Sequence, residues 1–564
     1  MMDMNRRRYS PVINIVLLVL IFFGVFFRFL NITRNQFVYY DEGLYLTHNL
    51  TFLRAVEQNP PVNFSQLLTF FNVSFHLALR EPKTLWFFLC YLRTILVGVN
   101  AWYYTRLLSA IFGSLTLFVL FFFTKRMYRS NFIALLSVAL LAFLPSHLYY
   151  SRLGMQEALS TFLFLTGMYF YFFPDRLRLK SMLSGLFFAG VYFTNYRMII
   201  LPVILLYVET LLYVSRAKRW DYKRYLAFLI PFGLLIAAIG LMDNKANFRI
   251  SFAWMSRQAQ LTGGKFQFIN LFSYPYYLFR LESMIFALFF FMNFWILYRI
   301  LKESWTGQTV HLQWKKILTH PNWKSILPFM VVILFMGIFS LPQEKGVRYL
   351  CVVMPFMAMA VALVIERVLN AKVKYPLWIL FFIVMMFVQM FIKGFHLVYA
   401  RTDYARVIQF LKKKDPAMKI LGSQYKIYRL YVKDAKDIQE TPRLLSSLVR
   451  YYQQGYGYLI VDPQTYISYT KTKERFTPEL TDYLGYLEQH VPSFHVYPHF
   501  SSALFERFVL EHNENLVQSL RFIRANINNR YGMIKVYDIK FSIYLIQRRL
   551  KEAQALSQNK ATGP

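Results

Sequence analysis

Long uncharged apolar runs alternate along this chain with short basic clusters, a pattern that predicts a bundle of membrane-spanning helices. Charge-poor runs of roughly 15–20 residues fall at 11–30, 105–124, 131–148, 158–173, 181–195, 198–214, 225–241, 281–300, 325–342, 350–368 and 376–394. The stretch Met182–Val214 would measure roughly 50 Å as one helix, too long for a hydrocarbon core of about 30 Å. Arg197 stands near its middle and Pro202 follows, so the pattern predicts two helices with a break at Thr194–Arg197.

Between these runs the pattern changes twice. In the first long loop, 31–104, the residues Phe64, Leu67, Leu68, Phe71, Phe75 and Leu79 recur at helical spacing. They predict an amphipathic helix lying on the membrane surface. The apolar stretch Leu85–Val99 is short and interrupted by Arg93, which reads as a re-entrant or interfacial helix. After Lys393 the chain becomes charged and mixed. Helix-like segments fall near Tyr404–Lys414 and Pro442–Gln454, and Tyr456–Val461, closed by Asp462-Pro463, reads as a buried strand. Two domains are expected: residues 1–394 as a transmembrane catalytic domain that includes the loop 31–104, and 395–564 as a soluble α/β domain.

Composition agrees with a lipid environment. Of 564 residues, 56% are hydrophobic and 19% aromatic, against about 45–50% apolar in soluble domains. The net charge of +35 does not point to nucleic acid, because much of it sits in short loops between apolar runs, where it orients a membrane protein. Some of it suits anionic headgroups of membrane lipids. With Arg6–Arg8 inside, the loops holding Lys125/Arg126/Arg129, Arg176/Arg178/Lys180, Arg216–Arg224, Lys302–Lys324 and Lys372/Lys374 all fall inside too. About eleven spans then put the C-terminal domain outside. The start of the chain is signal-like, but no small-residue cleavage site follows its apolar run, so a retained first span is expected. The cysteines, Cys90 and Cys351, offer no disulfide framework and no metal-ligand spacing.

Charged groups of the apolar half gather on the expected outer side: Asp41 and Glu42 after the first run, Arg152 and Glu157 around the 3–4 loop, Arg197 in the 5–6 turn, and Lys345 with Arg348 after run 9. Each has an ordinary reading. Asp41 suits a helix N-cap, and Glu42 a first-turn acid favoured by the helix dipole. Arg152 and Glu157 suit an interfacial ion pair, His147 an interfacial aromatic, and Arg348-Tyr349 an anchor at the lipid boundary. Arg197 is harder to dismiss, because an arginine in a short turn between apolar helices needs a partner or water.

Five segments occur in a telling order: YYDEGLYL, RLLSAIFGSLTLFVLFFF, LPSHLYYSRLGMQEALSTFLF, the TNYR turn and KGVRYLCVVMPFMAM. In this order they resemble the membrane glycosyltransferases of C-type fold, in the branch of protein O-mannosyltransferases and lipid A aminoarabinose transferases (family 39-like). The likeness spans roughly residues 10–370. It implies a polytopic α-helical membrane protein with a C-terminal soluble α/β domain, an enzyme and not a scaffold. It further implies an inverting transfer of a sugar from a polyprenyl-phosphate donor to a lipid, polysaccharide or protein acceptor, outside the inner membrane. By the same resemblance Asp41 is the general base with Glu42 beside it, and Glu157 matches the second acid, which in that family is often Asp. Arg197 and Arg348 match the donor-phosphate ligands, with Lys345 and Arg152 as further candidates.

The chemistry is coherent by itself. A guanidinium can hold a leaving phosphate bidentately, and a carboxylate within reach of a hydroxyl can take its proton. No cofactor is compelled by the sequence; a divalent cation on Asp41 and Glu42 is compatible with it. The alternative function is a flippase or transporter of lipid-linked sugars, but no repeated half is visible and the polar residues lie near one expected face.

Overall fold

The computed structural model describes residues 11–33, 40–47, 50–98, 103–173, 178–216, 222–242, 249–253, 256, 268–304, 323–342, 345–371, 376–400, 403–432, 435–442, 445–462, 487, 491–493, 495–498, 502–511, 516–526 and 533–561. The chain divides into two compact units, Met1–Ile32 with Thr51–Tyr399 and Thr33–Leu50 with Ala400–Pro564.

In chain order the first helices are α1 (Pro11–Phe29), α2 (Tyr40–Thr47), α3 (Leu50–Gln58), α4 (Phe64–Leu79), α5 (Thr84–Val97), α6 (Tyr103–Tyr128), α7 (Asn131–Phe143), α8 (Pro145–Tyr150), α9 (Glu157–Phe172), α10 (Leu179–Thr194), α11 (Leu201–Arg216) and α12 (Tyr222–Leu241). Helices Met284–Ser304, Trp323–Ser340, Met354–Asn370 and Pro376–Val398 follow, and all of these except α2 lie in the larger unit. Every apolar run of the sequence therefore carries a helix, as expected of a polytopic α-helical membrane protein. Among the described residues six helices are by themselves long and apolar enough to cross a membrane: Pro11–Phe29, Tyr103–Tyr128, Tyr222–Leu241, Met284–Glu303, Val347–Asn370 and Leu377–Val398. Others are shorter because the chain interrupts them, as Leu144-Pro145 does between α7 and α8.

The packing of this unit relies on small residues that let helices approach. A Cβ on Gly24 of α1 would lie 2.5 Å from the Ala142 Cβ of α7. Helix α10 packs against both α9 and α12, and α6 against both α7 and α9. Helix α4 leaves Phe64, Leu67, Leu68 and Phe71 exposed, an apolar stripe suited to lipid. Helix α5 buries Trp86, Phe87, Tyr91 and Arg93.

The second unit is built on a five-stranded sheet in the order β2-β1-β3-β5-β4. The strands are β1 (Lys419–Gly422), β2 (Ile438–Gln439), β3 (Tyr456–Val461), β4 (His495–Pro498) and β5 (Met533–Asp538). β1 runs parallel to β2 and β3, while β5 is antiparallel to β3 and β4. Its core gathers Leu421, Leu448, Leu459, Val461, Tyr537 and Ile539 under helices Leu445–Gln453 and Ile539–Ala561. The run YGYLIV is nearly continuously buried, as a strand between two others requires. Contacts group Thr33–Leu50 with this unit. The cause is local: α2 packs on the helix Tyr425–Tyr428, and Gly43 meets Ile427 so closely that a Cβ would stand 3.0 Å from its backbone nitrogen.

Candidate functional site

The helical unit brings two of the expected basic residues, Arg197 and Arg348, to the ring of Tyr349. Helix α10 ends at Thr194, and Asn195 is extended with φ −144° and ψ 98°. Its side-chain oxygen accepts the Arg197 N–H at 3.3 Å, which starts a tight 3-10 turn over Tyr196–Ile200 before α11. Pro202 falls in the first turn of α11, where its missing N–H is no loss. This turn presents Arg197, only 8% exposed, with its guanidinium 4.5 Å from the centre of the Tyr349 ring and 4.9 Å from that of Tyr196. The Arg348 guanidinium lies 5.7 Å from the same Tyr349 ring. The Phe339 ring lies 5.7 Å from that of Tyr349, tilted to it. Lys345, two residues before the 3-10 segment Val347–Val353, is fully buried. A ring face attracts a cation, and here two guanidinium groups meet the ring of one tyrosine.

Arg152 has other work. Its Nη1 donates to the Phe27 carbonyl, and its Nη2 to those of Leu30 at 2.7 Å and Val398 at 3.5 Å. It closes the ends of α1 and of helix Pro376–Val398, whose last carbonyls lack helical partners, and does not pair with Glu157. Glu157 begins α9, nearly buried, and accepts from Gln156 Nε2 at 3.1 Å. His147, expected at an interface, is buried instead, its Nδ1 2.8 Å from Arg28 Nη2. Arg28 can only donate, so Nδ1 is the acceptor.

Asp41 and Glu42 belong to the other unit. Both stand in the first turn of α2, where the helix dipole favours both carboxylates. Glu42 is fully buried and Asp41 half-buried. Under α2 lies the turn that leaves β1: Asp462 accepts from Ser423 Oγ at 3.0 Å and from Tyr428 Oη at 3.1 Å. Burial, with Asp462 beside it, pushes the Tyr428 phenol well above its usual range and keeps it a donor.

No family model and no curated protein matches the chain. Solved structures do. The apo oligosaccharyltransferase of Archaeoglobus fulgidus superposes with a TM-score of 0.52 at 11% identity, covering 83% of this chain and 72% of that one. The same protein in complex with zinc and sulfate gives 0.50 at 12%, over 83% and 71%. ArnT of Cupriavidus metallidurans gives 0.45 at 15%, over 81% and 94%. This chain has the C-type glycosyltransferase fold. Identity this low carries the fold and no residue roles.

Within the C-type fold, the described residues include no group of three or more His, Cys, Asp or Glu side chains placed to hold a metal ion. No step is therefore assigned to a metal. The sequence reading overlooked three buried groups of the helical unit. Arg28 Nη1 donates to the Gly24 and Ala142 carbonyls at 2.6 and 3.0 Å, the second released by the α7–α8 break. Glu282 accepts the Ser146 N–H at 3.0 Å and the Ser146 hydroxyl, holding the start of α8. Glu209 of α11 takes Arg224 Nε at 3.0 Å and Tyr171 Oη at 2.8 Å. A lone charge within an apolar run was the available signal, since such a charge must find a partner.

Proposed function

We propose that the protein is an inverting glycosyltransferase that moves a sugar from a polyprenyl-phosphate donor to an acceptor hydroxyl or amine at the outer face of the cell membrane. The observation that carries this reading is the pair Arg197 and Arg348 on the single ring of Tyr349, in turns between apolar helices. A lipid phosphate has its tail in the bilayer and its charge at the surface, which suits cations at helix ends. The likeness to an oligosaccharyltransferase supports sugar transfer as the chemistry that such a fold houses.

Arg197 and Arg348, with Lys345 as a further candidate, hold the donor phosphate and stabilise the charge it gains on leaving. Asp41 takes the acceptor proton, while Glu42, buried beneath it, keeps α2 in place. The acceptor atom attacks the anomeric carbon as the bond from that carbon to the phosphate oxygen breaks. The sugar inverts, and polyprenyl phosphate departs with the bonding electrons. Glu157 serves as a second acid, and Arg152 secures the loop that carries it. The N-terminus lies inside, the Ala400–Pro564 unit outside, and the acceptor is a lipid, polysaccharide or protein.

The test is transfer from polyprenyl-phosphate sugars by purified protein in lipid vesicles. Asp41→Asn should lower the rate by about 10²-fold or more, the contribution expected of a general base. A rate within about twofold of the parent would remove Asp41 from that role. Movement of the donor across the bilayer with no transfer would favour a transporter.

A further inference from the structure

In open α/β sheets ligands bind beyond the carboxyl ends of parallel strands, at the point where strand order reverses. The order β2-β1-β3 puts that point between β1 and β3, where Ser423 and Asp462 leave the sheet. Here protein fills the position. Asp462, fully buried, accepts from Ser423 and Tyr428. The Tyr428 ring lies across the end of β1 so closely that a Cβ on Gly422 would stand 2.8 Å from it. Tyr404 closes the other side at 5.2 Å, edge to face. One residue back, the Ile427 N–H is fixed to the Gln424 carbonyl at 2.8 Å. Against Ile427 sits Gly43 of α2, where a Cβ would lie 3.0 Å from the Ile427 nitrogen and 3.1 Å from its Cα. Gly43 is two residues from Asp41.

Each contact in this series is at packing distance, and its last member has backbone on both sides. We propose that the sheet of the smaller unit positions the acidic helix: Asp462, Ser423 and Tyr428 fix the Tyr425–Tyr428 turn, Gly43 seats α2 on it, and Asp41 is thereby placed for proton transfer. The inference rests on the reading of Asp41 as the base. It gives this unit a task within the reaction, and makes Gly43 and Asp462 positioning residues.

The experiment measures kcat and KM for transfer by the full-length protein carrying Gly43→Ala, Gly43→Val, Asp41→Asn, and Gly43→Ala combined with Asp41→Asn. A side chain at position 43 must move α2 by a few tenths of an ångström or more, and a misplacement of about 1 Å costs on the order of 10²-fold. Gly43→Ala should therefore lose about tenfold in kcat and Gly43→Val about 10²-fold, with the donor KM within about twofold. In the Asp41→Asn background Gly43→Ala should cost nothing further, whereas a merely structural defect would multiply the two losses. If Gly43→Val does not fold, Gly43→Ala and the combined variant carry the test. Parental kcat in Gly43→Ala, or multiplied losses in the combination, overturns the positioning role while Asp41 keeps its own. A parental rate in Asp41→Asn overturns both.

Discussion

Arg197 and Arg224 are both nearly buried and both pack beside α11, one in the turn before it and the other on the neighbouring α12. Their settings differ. Arg224 meets the Glu209 carboxylate through two nitrogens, lies 5.1 Å from the centre of the Tyr171 ring, and shares that carboxylate with the Tyr171 hydroxyl. Charge, hydrogen bonds and ring contact are all met within one cluster, which is how a membrane helix bundle carries an ionised pair. Arg197 is held by two ring faces, and Arg348 shares one of them. A ring contact orients a guanidinium through its face, whereas a carboxylate takes its charge directly. Equal burial thus separates a clamp from a candidate anion site only once the partners are known.

The comparison breaks most directly at the clamp. Glu209→Ala leaves Arg224 buried without its counterion and should cost about 3–5 kcal/mol of stability. Thermal or urea unfolding in detergent checks this, and the transfer rate per folded molecule should stay within about twofold of the parent. Adding Arg224→Met should recover most of the loss, because an apolar pair of similar volume avoids burying charge. A variant that folds normally but transfers poorly would place Glu209 in the chemistry instead.

A smaller effect sharpens the other side. Tyr349→Leu removes the ring that both Arg197 and Arg348 face, a contact worth about 0.5–2 kcal/mol. The donor KM should rise about 2–30-fold with little change in unfolding temperature, and Tyr349→Phe should retain most of the parent's KM. Equal losses in both variants would point to the Tyr349 hydroxyl and not to its ring face.

Much of this was legible before any coordinates. The apolar runs marked the helices, and Arg197 with Pro202 marked the break between α10 and α11, because length and charge leave a membrane helix few choices. YGYLIV marked β3 through its unbroken apolar character. Partners distant in sequence were hidden. Arg28 finds His147 across 119 positions, and Ser146 finds Glu282 across 136; periodicity says nothing about such pairs. The allocation of α2 was hidden as well. It depends on Gly43 fitting against the backbone of Ile427, a matter of tenths of an ångström that no residue pattern announces. The partners of Arg152 were hidden for a related reason: the carbonyls it takes come from helix ends distant in sequence.

The central claim is that Arg197 holds a lipid phosphate, and binding tests it without need of the correct sugar or acceptor. Polyprenyl phosphate would be titrated into full-length protein in lipid nanodiscs, for the parent and for Arg197→Gln. Hydrogen bonds to a charged group are worth about 1.5–3 kcal/mol, so Arg197→Gln should bind at least about tenfold more weakly. Affinity equal to the parent's in a folded Arg197→Gln protein would contradict the account.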